Sequence, residues 1–203
     1  MPDERTSDET PQDRRRFFAA GFAKILRPLA DAIEKRLPIA LPIVRERLRP
    51  PGALEERAFL DTCFRCGACA DSCPAKCITL TVSEDEEQRG TPTIDADLAA
   101  CVICDELACM KACPSGALVL VDRFAIRMGL ARVNHEVCVR SKGEDCRICV
   151  ERCPISATAI AIGEDGRVRV IDPAKNGGMG CVGCGVCQYY CPTRPKAIVV
   201  RPA

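Results

Sequence analysis

This chain of 203 residues has no tryptophan and a single histidine, and aromatic residues make up only 4% of it. A core of ordinary density would have to be built from Ile, Val, Leu and Ala. The hydrophobic fraction of 47% includes the cysteines, so true core material is thinner still, and something beyond side-chain packing is expected to hold the fold. No apolar run reaches the roughly 18 residues that a transmembrane helix requires. No acid pair, nucleophile–base set or phosphate loop is present, so the chain shows no catalytic constellation of its own, and no nucleic-acid partner is expected. Gly178-Met-Gly180-Cys-Val-Gly183 has the letter spacing of a dinucleotide loop. It lacks the strand before and the helix after that such a loop needs, and it is interrupted by a cysteine. The one histidine, His135, reads as a strand-end residue near Cys138 rather than as a redox or proton-transfer group.

What the chain has in excess is cysteine, with 17 residues. Sixteen fall into four motifs, each ending in Cys-Pro: Cys63-x2-Cys66-x2-Cys69-x3-Cys73, Cys101-x2-Cys104-x4-Cys109-x3-Cys113, Cys138-x7-Cys146-x2-Cys149-x3-Cys153 and Cys181-x2-Cys184-x2-Cys187-x3-Cys191. Repeated Cys-x2-Cys is poor disulfide spacing, because so short a ring strains the S–S bond. A zinc ribbon uses two such pairs per metal ion and has no use for a third cysteine or for the x3-Cys-Pro tail. An iron–sulfur cube has a use for all of them. Its four irons each need a thiolate, three cysteines at short spacing wrap one cube, and the cysteine before proline reaches the other cube of a pair. Gly67, Gly183 and Gly185 would let these loops bend tightly.

The pattern therefore calls for four [4Fe–4S] clusters. The gaps between motifs are 27, 24 and 27 residues, so spacing alone does not decide which motifs pair. Adjacent pairing joins the first with the second and the third with the fourth; nested pairing joins the first with the fourth and the second with the third. Cys77 is left over. It reads as a small buried hydrophobe, with a replacement ligand or a sulfur packed near a cluster as the alternatives. Each oxidised, fully ligated cube would carry about −2, turning the formal +1 of the chain into about −7.

The motifs recur with a period of roughly 40 residues, each followed by a β-rich stretch. Segments 160–162 and 168–171 flank Asp165-Gly166, a strong hairpin signal, and 78–82 and 91–94 flank an acidic turn. A short hairpin is expected after each motif, with a last strand at 197–200. Upstream, residues 1–13 are polar and acidic and read as disordered. Residues 14–49 hold ten Lys or Arg against three acids. Their apolar residues Phe18, Phe22, Ile25, Leu29, Ile33 and Leu37 lie on one helical face, kinked at Pro28. Pro38, Pro42, Pro50 and Pro51 then punctuate a linker. Arg15-Arg16-Phe is similar to a twin-arginine export signal, but the apolar stretch 17–23 is cut short by Lys24 and Arg27. The segment reads better as a retained amphipathic helix able to dock on a partner or a membrane surface.

The stretches RPPGALEERAFLDTCFRCGACADSCP, CDELACMKACPSGAL, RMGLARVNHEVCV and DCRICVERCP resemble the NapG/MauM ferredoxin-type proteins. The resemblance runs from about Arg49 to Val200, and the sixteen motif cysteines fall on the family's positions. The RRxF start is more like NapF, a cytoplasmic relative with fewer clusters. The resemblance implies four [4Fe–4S] clusters that carry electrons, in that family from a membrane quinol-oxidising partner toward a periplasmic reductase or dehydrogenase. The expected fold is α+β, with tandem bacterial ferredoxin-like modules carrying short β-hairpins and helices. Residues 1–52 would form the tail, basic arm and linker, and residues 53–203 the four-cluster domain. The expected function is one-electron relay, either as a free electron-transfer protein or as a subunit of an oxidoreductase complex; an iron–sulfur accessory protein for metalloenzyme maturation is the alternative. The interrupted export signal makes the expected location cytoplasmic, with peripheral membrane contact through residues 14–49, and periplasmic if the twin-arginine signal operates.

Overall fold

A computed structural model describes residues 47–203. The amphipathic arm, its kink at Pro28 and the twin-arginine-like segment lie outside the described residues. Elements are short throughout, as expected of a chain whose loops must fold around something other than its own side chains. In order they are α1 (Glu56–Thr62), α2 (Ala68–Asp71), β1 (Ile78–Leu80), β2 (Pro92–Ile94), α3 (Ala108–Lys111), β3 (Gly129–Val133), α4 (Ile148–Glu151), β4 (Ile160–Ile162), β5 (Val168–Val170), α5 (Val186–Tyr190) and β6 (Ile198–Pro202). The described strands pair only antiparallel, as β1–β2, β4–β5 and β3–β6. The Gly178–Gly183 pattern therefore has no parallel β-α-β unit to serve.

Two of the expected hairpins form. Ile78 stands opposite Ile94 in the first, and Ile160 opposite Val170 in the second. The stretch after the second motif does not make a hairpin. Leu118 bridges back to Ala53, and β3 pairs with the last strand, setting Ala131 against Val200 and Val133 against Ile198. Burial explains the choice. β3 and β6 each bury their first and third residues, so pairing the two in this register makes one apolar face from both.

The structure therefore contains one plan twice. An edge segment (Ala53, then β3) precedes two cysteine motifs, which are separated by a hairpin (β1–β2, then β4–β5). A returning segment (Leu118, then β6) pairs with the edge. Leu48, Arg49, Pro50 and Pro51, which the sequence assigns to arm and linker, are buried. Arg49 is fully buried and sits at the centre of a knot. Its guanidinium makes a bidentate pair with Glu56 (2.5 and 3.1 Å), donates to Thr91 Oγ1 (2.8 Å) and to the Pro92 carbonyl (3.0 Å), and lies 4.8 Å from the Phe59 ring centroid. The two repeats meet through backbone and side chain alike. Cys101 N donates to Cys184 O (3.0 Å), and buried Gln188 of the second repeat donates to Asp97 of the first.

Candidate metal centre

All seventeen cysteines are free. Four-residue helices carry the third cysteine of the first three motifs, and five-residue α5 carries that of the fourth. Ahead of each helix the loop must reverse in a few residues. In the second motif Ile103 and Leu107 take left-handed conformations (φ 49° and 48°), although neither is glycine. In the fourth, glycines occupy the comparable places: Gly183 has φ 76°, and a Cβ there would run into the backbone of Gly129. Such turns aim amide N–H groups inward. Arg65 N donates to Cys63 Sγ (3.4 Å), and the Ile103 amide donates to Cys101.

Among the described residues, no three His, Cys, Asp or Glu side chains converge to hold a metal ion. The cysteines instead stand around open space. Cys138, Cys146, Cys149 and Cys191 line one cavity. Cys73, Cys101, Cys104 and Cys109 line a second, together with Cys77. Cys153, Cys181, Cys184 and Cys187 line a third. The remaining walls are almost wholly apolar. Each set takes three cysteines from one motif and the pre-proline cysteine from the neighbouring motif, which is the adjacent pairing. A fourth grouping follows the same rule: Cys63 and Cys113 both stand close enough to Cys69 to act on its thiol, with exposed Cys66 in the same loop. Thiols without a single-ion geometry, four or five to a cavity whose other walls are almost wholly apolar, fit a polynuclear iron–sulfide core far better than one zinc ion.

The electrostatics agree with crowded, buried donors. Burial first, then neighbouring cysteines, push the Cys69 and Cys149 thiols up to about 11 and the Cys109 and Cys184 thiols to about 12; Cys187 is also raised. Metal binding at these groups would have to displace their protons. Two pre-proline cysteines behave differently. Burial opposes ionisation of Cys113 and Cys191, but hydrogen bonds outweigh it and hold both thiols below the ordinary value. Ser115 Oγ lies 3.6 Å from Cys113 Sγ, and Thr193 Oγ1 lies 3.2 Å from Cys191 Sγ. The sequence carried that signal as Cys-Pro-Ser and Cys-Pro-Thr, against Cys-Pro-Ala and Cys-Pro-Ile in the other two motifs. The hydroxyl partners were missed in reading it. His135 lies two residues past β3 with Nδ1 2.9 Å from Ser141 Oγ, as its strand-end reading requires.

The 4Fe-4S dicluster domain family matches residues 62–117, which span the first two motifs. The methylamine utilization ferredoxin-type protein MauM of Paracoccus denitrificans is 41% identical over 170 residues, covering 80% of this chain and 75% of that protein. MauM of Methylobacillus flagellatus is 40% identical over 164 residues, covering 76% and 68%. The ferredoxin-type protein NapG of Escherichia coli is 37% identical over 166 residues, covering 77% and 71%. The chain belongs to the NapG/MauM family. It is a ferredoxin-type, iron–sulfur electron-transfer protein that uses [4Fe–4S] clusters. Among the described residues no helix is long and apolar enough to cross a membrane.

Proposed function

We propose that the chain is two dicluster ferredoxin modules in tandem, holding four [4Fe–4S] clusters. Their ligands are Cys63, Cys66, Cys69 and Cys113; Cys73, Cys101, Cys104 and Cys109; Cys153, Cys181, Cys184 and Cys187; and Cys138, Cys146, Cys149 and Cys191. The observation that carries this is the three-plus-one make-up of the cavities, each drawing its pre-proline cysteine from the adjacent motif. Bound cubes supply reversible one-electron centres. The chain sets their order and surroundings. Cys69 lies within electrostatic reach of Cys109, Cys101 of Cys184, and Cys149 of Cys187. The sets therefore follow one another as those of the first, second, fourth and third motifs. The sets of the first and third motifs stand at the ends of the row, and these are the two with hydroxyl-bonded cysteines.

The role we infer is relay between a membrane quinol-oxidising donor and a terminal reductase or dehydrogenase, with residues 1–46 as tail and docking arm, Leu48–Pro51 packed into the cluster domain rather than serving as linker, and with the chain retained in the cytoplasm. Anaerobic iron and sulfide counting, combined with EPR-monitored redox titration, tests the cofactor reading. About sixteen iron per chain is expected; about eight would remove one module. Fractionation of cells expressing the tagged chain tests the location, and a shortened periplasmic product would overturn it.

A further inference from the structure

Each motif is followed by a buried small residue placed just before an aliphatic residue that pairs or bridges. Three of the four are Ala117, Ala159 and Ala197, preceding Leu118, Ile160 and Ile198. The fourth is Cys77, preceding Ile78 and equally buried. In the cavities where the repeat can be compared, Ala197 stands in the wall with Cys191, Ala159 with Cys153, and Cys77 with Cys73. The first motif has therefore kept the wall position and replaced a methyl group with a thiol. Its sulfur lies 3.6 Å from Cys73 Sγ, and Cys77 and Cys101 line the same cavity. The cavity holds five cysteines where its counterparts hold four.

Resting on the four-cluster reading, we propose that Cys77 is a spare iron ligand for the second cavity, able to take over the iron held by Cys73. One Fe–S bond, to Cys73, breaks and another, to Cys77, forms. The Cys77 thiol proton passes to the departing Cys73 thiolate, and no iron changes oxidation state, so the exchange needs no oxidant or reductant. Where Cys73 has been lost, the proton goes to solvent. The adjacency of the two sulfurs makes the exchange local: the backbone at Cys77 is already fixed by the β1–β2 pairing that begins at Ile78.

The second repeat supplies the control. Cys153 is the pre-proline ligand of the third motif, and its wall partner is Ala159, which has no sulfur. Full-length chains carrying Cys73→Ala, Cys77→Ala, Cys153→Ala or Cys73→Ala with Cys77→Ala are prepared anaerobically, and iron, sulfide and EPR are measured. Cys73→Ala and Cys77→Ala should keep about sixteen iron, the former with one altered EPR signal, while Cys153→Ala and the double variant fall to about twelve. If loss of a cube unfolds the chain, yield reads the same way: Cys73→Ala is recovered soluble and brown, and the double variant and Cys153→Ala are not. Cys73→Ala losing as much iron as the double variant, or failing to fold alongside it, overturns the inference. A wild-type chain with well under sixteen iron overturns the four-cluster reading instead.

Discussion

The two repeats reach the same arrangement of thiols by different means. In the second, the edge and return segments form a five-residue ladder, β3 against β6. In the first they meet only at Ala53 and Leu118, through Leu54 N to Ala117 O and Val119 N to Gly52 O. What the first repeat lacks in backbone pairing is supplied by the segment just before it. The Leu48 carbonyl accepts from Ile94 N (2.8 Å) beside β2, and Arg49 ties that segment to α1 and to the β1–β2 hairpin. A ladder of neutral hydrogen bonds can thus be replaced by one charge-assisted knot, provided every donor of the buried cation is satisfied.

The largest effect is expected where that knot is cut. Arg49→Met keeps much of the side-chain volume but leaves the Glu56 carboxylate, 6% exposed, without its guanidinium. Loss of one partner of a buried pair costs about 3–5 kcal/mol. Anaerobic denaturant titration of the loaded protein should show that loss, and Arg49→Met combined with Glu56→Leu should recover a large part of it. An unchanged midpoint for the single variant would mean that the first repeat is held by its clusters alone.

A smaller loss, confined to the second repeat, is expected from Gly183→Ala. The residue before the second cysteine of the first motif is Arg65, left-handed at φ 54° but exposed, so its side chain has room. Gly183 has no such room, because it packs on Gly129 at the start of β3. Enforced left-handed strain plus overlap should cost roughly 1–3 kcal/mol, lower the denaturation midpoint and loosen iron from the Cys181–Cys187 loop. Equal tolerance of Arg65→Ala and Gly183→Ala would show that the two loops are not packed differently.

Much of this was legible in the sequence because metal ligation imposes spacing directly: three thiols on one short loop and a fourth before proline need no tertiary information. The left-handed turns were legible only where glycine marks them. Ile103 and Leu107 adopt the same conformation against their intrinsic preference, and the cavity they help to shape, not any local signal, dictates it. Pairing was not legible, since gaps of 27, 24 and 27 residues allow either scheme; which cysteines share a cavity depends on long-range strand partners such as Val133 and Ile198, both in the wall with Cys138 and Cys191. The expected second hairpin failed for a related reason. Residues 118–133 have a strand-like composition, but their partners lie at Ala53 and in β6, and a local reading cannot see that far. Arg49 was counted with the basic arm because charge is read as solvent-exposed by default, and its buried acceptors are 7, 42 and 43 residues away.

The end sets and the middle sets also differ, and the difference should appear as potential more than as stability. Cys113 Sγ lies within hydrogen-bond reach of the Ser115 hydroxyl and Cys191 Sγ of the Thr193 hydroxyl, whereas Cys73 and Cys153 are followed by Ala75 and Ile155 in the same places. A hydrogen bond to a ligand sulfur favours the more negative, reduced state of a cluster. With each bond worth about 0.5–1.5 kcal/mol, Ser115→Ala and Thr193→Ala should each lower one potential by roughly 20–60 mV for a one-electron centre. EPR-monitored titration reads this directly, and a shift in a middle cluster instead would contradict the assignment of the pre-proline cysteines.

The smallest effect sharpens the role of the knot. Helix α1 carries two ion pairs that start from adjacent residues: Glu56 with Arg49, buried, and Arg57 with Asp61, whose side chains are 79% and 70% exposed at 3.8 Å. Both are formal salt bridges, but the first is buried and bidentate while the second is a single exposed contact. Water screens the second pair and leaves its side chains free to part without penalty, so Asp61→Ala should cost no more than about 0.3–0.5 kcal/mol, shrinking further in high salt. A loss approaching that of Arg49→Met would mean that charge content on α1, rather than the closed hydrogen-bond set around Arg49, anchors the first repeat. The desolvated guanidinium, with Glu56, Thr91, Gln88 and the Pro92 carbonyl all fixed around it, is the arrangement that cannot be opened without cost.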